Sequence, residues 1–426
     1  MHPVLKLILY RAQCYFGERL RRRGAPCEAV RHFTKAIRVE PRSPLVRAYR
    51  GRAHAYLESG AYRESMEDLS AIIDTSGQAT AEDFAYRGWA LHKLGEYAGC
   101  IDDYTRAIER GYDPAWVLCA RAHAKMQLGY HQSAVADCGD AIEKAPHKSE
   151  AYDLRAEAYM HLRQYDKAIA DLSTVIAVAP SGNAYWARAN AQVEVGKIRD
   201  AIADYSQAIE MDPSNAGLYN NRGTAFERLG DYPAAIRDFA AAIAHKPADA
   251  DAYVNRAQLN VKRGCLLEAV EDCDAAIEIA PRDWEVRMLR GNVRYELRDY
   301  DGAIQDYSKA VEIDPANAEG YINRAHVYFR MGQYQEAKDD YTECILRENG
   351  RVEAYIWRSR ASLELRQYEA AEQDARRAIE LAPESPEGYG TRWLIYQRIG
   401  QTGKAAEDAG KCRAFGGEIN EDMGRL

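Results

Sequence analysis

The chain has 426 residues, 47% of them hydrophobic and 29% charged, the balance of a chain that can bury a core and not that of a disordered one. A formal net charge of −8 argues against a broad nucleic-acid-binding surface, because phosphate contacts need a field of Lys and Arg. Nine cysteines without a C-x-x-C pair read as small core residues in a reducing compartment, and no stretch approaches the roughly 20 apolar residues of a membrane-spanning helix, so the expectation is a cytoplasmic protein with no membrane span.

In chain order, residues 1–9 read as an N-terminal lead-in, with Lys6 inside the apolar run from Val4 to Leu9. From Tyr10 to residue 415 one pattern returns about every 34 residues. It gives twelve repeats, starting at Tyr10, Val46, Ala81, Ala115, Ser149, Gly182, Ala216, Ala250, Trp284, Ala318, Val352 and Pro386. Residues 416–426 read as a C-terminal tail. Each repeat holds two apolar-periodic stretches of helical length. They are joined by a short link that usually carries Gly (Gly60, Gly95, Gly129, Gly196, Gly230, Gly264, Gly332), a residue that can take the left-handed conformation that stops a helix. Most repeats close on Pro (Pro41, Pro146, Pro180, Pro213, Pro247, Pro281, Pro315, Pro383), which ends the second helix. A lone helical hairpin leaves one face wet, so the pairs must stack.

Counting from the first residue of each repeat, position 4 is aromatic (Tyr49, Phe84, Tyr152, Tyr185, Tyr219, Tyr253, Tyr321, Tyr355, Tyr389). Position 8 is mostly Gly or Ala, position 20 mostly Ala, and position 24 is bulky in Phe33, Tyr104, Tyr205, Phe239, Tyr307 and Tyr341. Short side chains at 8 and 20 allow close backbone approach, and the aromatics fill the wider gaps. With Ala at 27 and Pro at 32, the pattern resembles the tetratricopeptide repeat family over about residues 10–415. That resemblance implies an all-α, right-handed α-solenoid or superhelix of about twelve helix-turn-helix repeats. Departures fall at the ends: Gln13 replaces the first aromatic, and Trp393 the last small residue at position 8.

Position 7 is Arg in every repeat but the first, and position 23 is Asp in the same repeats; the first has Phe16 and His32 instead. Joint loss predicts a pair, with a guanidinium gripping a carboxylate through two parallel hydrogen bonds between first and second helices.

The resemblance further implies that the first helices line a concave face, with positions 2, 5, 6, 9, 12 and 13 projecting into it. Later repeats put amides and other polar groups there: Asn190, Asn220, Asn221, Thr224, Asn255, Gln258, Asn292, Asn323 and His326. Carboxamides both donate and accept, so a row of them suits the backbone of an extended peptide. Earlier repeats put Trp89, His92, Trp116, Cys119, Met126, Met160 and Trp186 there, a candidate apolar anchor pocket. The Lys, Asn and Arg set of the family's chaperone-tail clamp is missing, and position 2 often carries an acid (Glu150, Asp251, Glu285, Glu319, Glu353, Glu387), so acidic tails are disfavoured as ligands.

No P-loop, H-E-x-x-H motif or paired nucleophile and base stands out, so no catalytic residue, cofactor or metal site is expected. His54, His92 and His123 come from different repeats. The expected role is a scaffold or adaptor that binds another protein or peptide in its concave groove. The alternative is a regulatory or assembly subunit held through its convex face or its ends.

Overall fold

The computed structural model describes residues 3–39, 46–75 and 77–419; Met1, His2, Pro41 and residues 420–426 of the tail lie outside the described residues. Among the described residues all the elements are helices, and the chain divides into two compact units, Met1–Pro213 and Ser214–Leu426. The first unit contains α1 (Pro3–Arg22), α2 (Pro26–Val39), α3 (Val46–Ser59), α4 (Tyr62–Thr75), α5 (Ala81–Lys93) and α6 (Tyr97–Glu109). It continues with α7 (Ala115–Gln127), α8 (His131–Lys144), α9 (Ser149–His161), α10 (Tyr165–Val178), α11 (Gly182–Glu194) and α12 (Ile198–Met211). The second unit contains α13 (Ala216–Leu229), α14 (Tyr232–His245), α15 (Ala250–Lys262), α16 (Leu266–Ile279), α17 (Trp284–Glu296) and α18 (Tyr300–Ile313). It ends with α19 (Ala318–Arg330), α20 (Tyr334–Arg347), α21 (Val352–Glu364), α22 (Tyr368–Leu381), α23 (Pro386–Arg398) and α24 (Thr402–Ala414). Within each unit every helix packs on the next, so successive pairs stack into an all-α solenoid. The chain is helical from Pro3, so the lead-in residues to Leu9 are continuous with the first helix of the first pair.

Local chemistry sets the helix ends. Thr80 and Asp83 form a reciprocal capping box at α5, and Asn215, Asp249, Asp283 and Asn317 accept from backbone N–H groups at the starts of α13, α15, α17 and α19. The link inside each pair turns on one left-handed residue at position 15. It is Gly in nine repeats, for example Gly230 at φ 84°, and Arg163, Arg298 and Arg366 take the same conformation at φ 55°, 63° and 60°. A side chain there costs about 1–2 kcal/mol, so these three links carry strain that glycine would avoid.

In several pairs a small residue at position 8 faces a bulky one at position 24. A Cβ on Gly223 would lie 2.8 Å from the Phe239 ring, and one on Gly291 would lie 2.7 Å from Tyr307. The last repeat inverts the arrangement: Trp393 at position 8 is buried against Ala405 and Ala409, with Ala409 where other repeats place an aromatic. In that repeat the bulk at the contact comes from the first helix.

The Arg and Asp rows form eleven pairs, all within one repeat and all gripped at Nε and Nη2: Arg52–Asp68, Arg87–Asp103, Arg121–Asp137, Arg155–Asp171, Arg188–Asp204 and Arg222–Asp238. Arg256–Asp272, Arg290–Asp306, Arg324–Asp340, Arg358–Asp374 and Arg392–Asp408 complete the series. The third guanidinium nitrogen does something the sequence reading missed. In Arg52, Arg87, Arg121, Arg188, Arg324 and Arg358 it donates to the hydroxyl at position 25 of the preceding repeat: Thr34, Ser70, Thr105, Ser173, Ser308 and Thr342. One arginine thus ties three helices and sets both the pair and the stacking register. The first repeat substitutes a His32 to Gln13 hydrogen bond of 2.8 Å.

Candidate functional site

Stacking puts the first helix of each pair in an inner layer. In the first unit α1, α3, α5, α7 and α9 touch in succession, as do α13, α15, α17 and α19 in the second, while second helices contact one another less. Side chains at positions 2, 5 and 9 of the first helices therefore face a shared concave surface within each unit.

In the first unit that surface holds an aromatic cleft of about 440 Å³, lined by Arg21, His54, Leu57, Glu58, Tyr86, Trp89 and Trp116. The Trp89 and Trp116 rings meet edge to face at 5.8 Å, Tyr86 lies 5.8 Å from Trp116, and His54 packs on Tyr86 at 4.3 Å. Burial, with a smaller push from Arg21, lowers the His54 pKa to about 4, so the ring is neutral and the cleft wall apolar at pH 7. An Arg21–Glu58 ion pair of 2.6 Å stands at the rim. His92 and His123 come together deeper in the layer, Nε2 to Nδ1 at 2.8 Å, and His54 does not join them. Two candidates need correcting: Cys119 and Met126 are buried core residues, not groove residues.

Trp186 is not part of the aromatic cleft. It lies on α11 beside a second, larger opening of about 880 Å³ with Met160 and Asn190. Asn190 is half committed, since its Oδ1 accepts from the Tyr205 hydroxyl at 2.6 Å.

The amide row of the second unit is likewise partly self-satisfied. Asn255 donates to Asn220 at 3.0 Å, Asn323 donates to Asn292 at 3.3 Å, and Asn292 also accepts from Tyr307 at 2.7 Å. Thr224 bonds back to the Asn220 carbonyl. Asn221 is half-buried and Gln258 is exposed on the same layer. The Asn at position 9 thus serves the Tyr at position 24 in two repeats. Where position 9 is Trp89 or His326, the buried hydroxyls of Tyr104 and Tyr341 have no partner among the described residues, and burial raises both their pKa values. His326 sits between Tyr341 and Trp357, its pKa lowered to about 4 by burial and then by Arg351.

Among the described residues no group of three or more His, Cys, Asp or Glu is placed to hold a metal ion, and no helix is long and apolar enough to cross a membrane. The features in hand are two stacks of helix pairs, a concave layer with open clefts, and arginines committed to structure; they define a helical-repeat protein of the interaction-scaffold class. Models of the tetratricopeptide repeat match residues 119–184, 189–260, 318–348 and 352–385, and a TPR repeat model matches 291–332. The chain belongs to the tetratricopeptide repeat family, whose arrays are typically non-catalytic protein-interaction modules.

Among curated relatives, human Tetratricopeptide repeat protein 6 is 35% identical over 23% of this chain and 18% of its own length. Hsp70-Hsp90 organizing protein 2 of Arabidopsis thaliana is 31% identical over 20% of this chain and 14% of its own. The matched stretch is thus under a fifth of either relative. A solved tetratricopeptide repeat protein from Parabacteroides merdae, 20% identical with a TM-score of 0.42, covers 57% of this chain and 96% of its own.

Proposed function

We propose that this chain is a protein-interaction scaffold that holds an extended segment of a partner protein along its first-helix layer, with an apolar side chain anchored in the cleft of His54, Tyr86, Trp89 and Trp116. The observation that carries the reading is the cleft itself. Its tryptophans sit at positions 9 and 2, outside the core slots, and both remain partly exposed beside a cavity large enough for one bulky side chain. Burying a large apolar side chain there contributes roughly 1.5–3 kcal/mol, too little alone for stable binding, so further contacts along the layer are part of the proposal. Within the first unit the amide of Asn190 offers such a contact, and the amides of Asn221, Asn255 and Gln258 offer a separate set on the second unit's own layer, at about 0.5–1.5 kcal/mol for each hydrogen bond.

The test is affinity capture from the native cell, followed by purified binding with Trp89→Ala plus Trp116→Ala, with Asn221→Ala plus Asn255→Ala, and with an exposed second-helix change, Arg237→Glu. Groove variants lose at least tenfold in affinity, about 1.4 kcal/mol, while the outer variant binds normally. Unchanged binding in both groove variants removes the proposal.

One observation favours a second reading, assembly through an end of the array: α1 leaves Val4 59% and Ile8 58% exposed. Under it, Val4→Asp with Ile8→Asp abolishes binding and the groove variants spare it.

A further inference from the structure

The larger opening in the first unit lies between two first helices. The neighbouring first helices α5 and α7, and α7 and α9, pack directly, whereas α9 and α11 are less closely engaged and leave a cleft of about 880 Å³ between them. The link from α10 to α11 is Ala179, Pro180 and Ser181, one residue shorter than the link Lys246 to Asp249 from α14 to α15. Leu172 and Val175 of α10 form an apolar floor.

The two walls differ in chemistry. Glu150, Asp153 and Glu157 recur at i, i+3 and i+7 on α9, so they share one face and point into the cleft. Across it stand Trp186, 41% exposed, and Asn190. No Lys or Arg lines the opening, and among the described residues none of the three carboxylates forms an ion pair. Burial, and then repulsion from Glu157, raises the Asp153 pKa. All three carboxylates are exposed to solvent, so an incoming cation can reach them. An exposed indole facing unpaired carboxylates over an apolar floor is complementary to a planar cation that stacks on one wall and bonds to the other.

We propose that the cleft between α9 and α11 receives an arginine side chain from an extended segment of a partner protein, with the guanidinium stacked on Trp186 and held by Asp153 and Glu157. The proposal rests on the groove reading above and adds a residue type to it. Arginine fits better than lysine because its fork can meet two carboxylates while its face covers the indole.

The test labels the full chain with 5-fluorotryptophan and follows its fluorine spectrum, with the Trp186 resonance assigned through Trp186→Phe. The probes are acetylated, amidated pentapeptides of Ala and Leu whose central residue is arginine, lysine or the neutral isostere citrulline. The arginine peptide moves the Trp186 resonance saturably, lysine moves it less, and citrulline leaves it in place. Asp153→Asn with Glu157→Gln weakens the arginine peptide on the order of tenfold while the melting temperature holds or rises, since like charges on one helix face repel. Equal response to arginine and citrulline overturns the cation site. So does a still Trp186 with moving Trp89 or Trp116, which leaves the groove reading intact. If no tryptophan responds to any peptide, the cation site falls, and the groove reading is judged by its own variants.

Discussion

Asp374→Ala isolates what the arginine ladder contributes. Arg358 grips Asp374 through Nε at 2.9 Å and Nη2 at 2.7 Å, reaches Thr342 of the preceding repeat at 3.2 Å, and lies 5.5 Å from the centre of the Tyr355 ring. Its side chain is 20% exposed and that of Asp374 is 11% exposed. Loss of the carboxylate leaves a largely buried guanidinium with one neutral hydroxyl as its polar partner. Breaking a buried pair costs about 3–5 kcal/mol, and the remaining exposure of Arg358 sets the expectation near the lower end, about 3 kcal/mol. Arg358→Met combined with Asp374→Leu removes the charge and its desolvation together, and stays within about 1 kcal/mol of the parent. Stacked repeats unfold locally, so the assay is hydrogen exchange resolved on α20, α21 and α22 beside a urea titration followed by circular dichroism. A single variant within about 1 kcal/mol of the parent, or a double variant as unstable as the single, refutes the reasoning.

Arg298→Gly relieves the left-handed link between α17 and α18 and raises stability by about 0.5–1 kcal/mol, read from the urea midpoint; a lower midpoint contradicts the strain argument. Acid stability follows from His54 and His326, whose pKa values are lowered in the fold to about 4 from about 6.5. The unfolded chain therefore binds more protons between these values, and stability is full above pH 6.5 and lost as pH falls toward 4, by up to about 3 kcal/mol for each ring. His326→Gln should flatten its share of that slope, and an unchanged slope would exclude His326 as a source.

The fold was largely legible because its signals are local and repeated. Glycine at position 15, proline at 32 and the small residues at 8 and 20 each act within one repeat, and the joint absence of Arg and Asp from the first repeat is enough to infer the pair. What escaped depends on neighbours in space. Position 25 looks like any exposed Ser or Thr until stacking brings Thr342 or Ser173 under the arginine of the next repeat. Asn190 and Asn292 look free until Tyr205 and Tyr307 reach them from the second helix. Trp186 shares the groove pattern of Trp89 and Trp116, but stacking places it at a separate opening with carboxylates opposite. The orphan hydroxyls of Tyr104 and Tyr341 carry a signal that could have been found: an aromatic alcohol at 24 with no amide at 9.

The central claim is that binding takes place on the layer of first helices. Hydrogen exchange of the full chain, with and without a purified partner identified by capture, tests it directly. The account predicts added protection in α5, α7, α9 and α11 or in α13, α15 and α17, with α6, α8, α14 and α16 unchanged. Protection confined to the second helices, or to α1 and α24 at the ends, contradicts it.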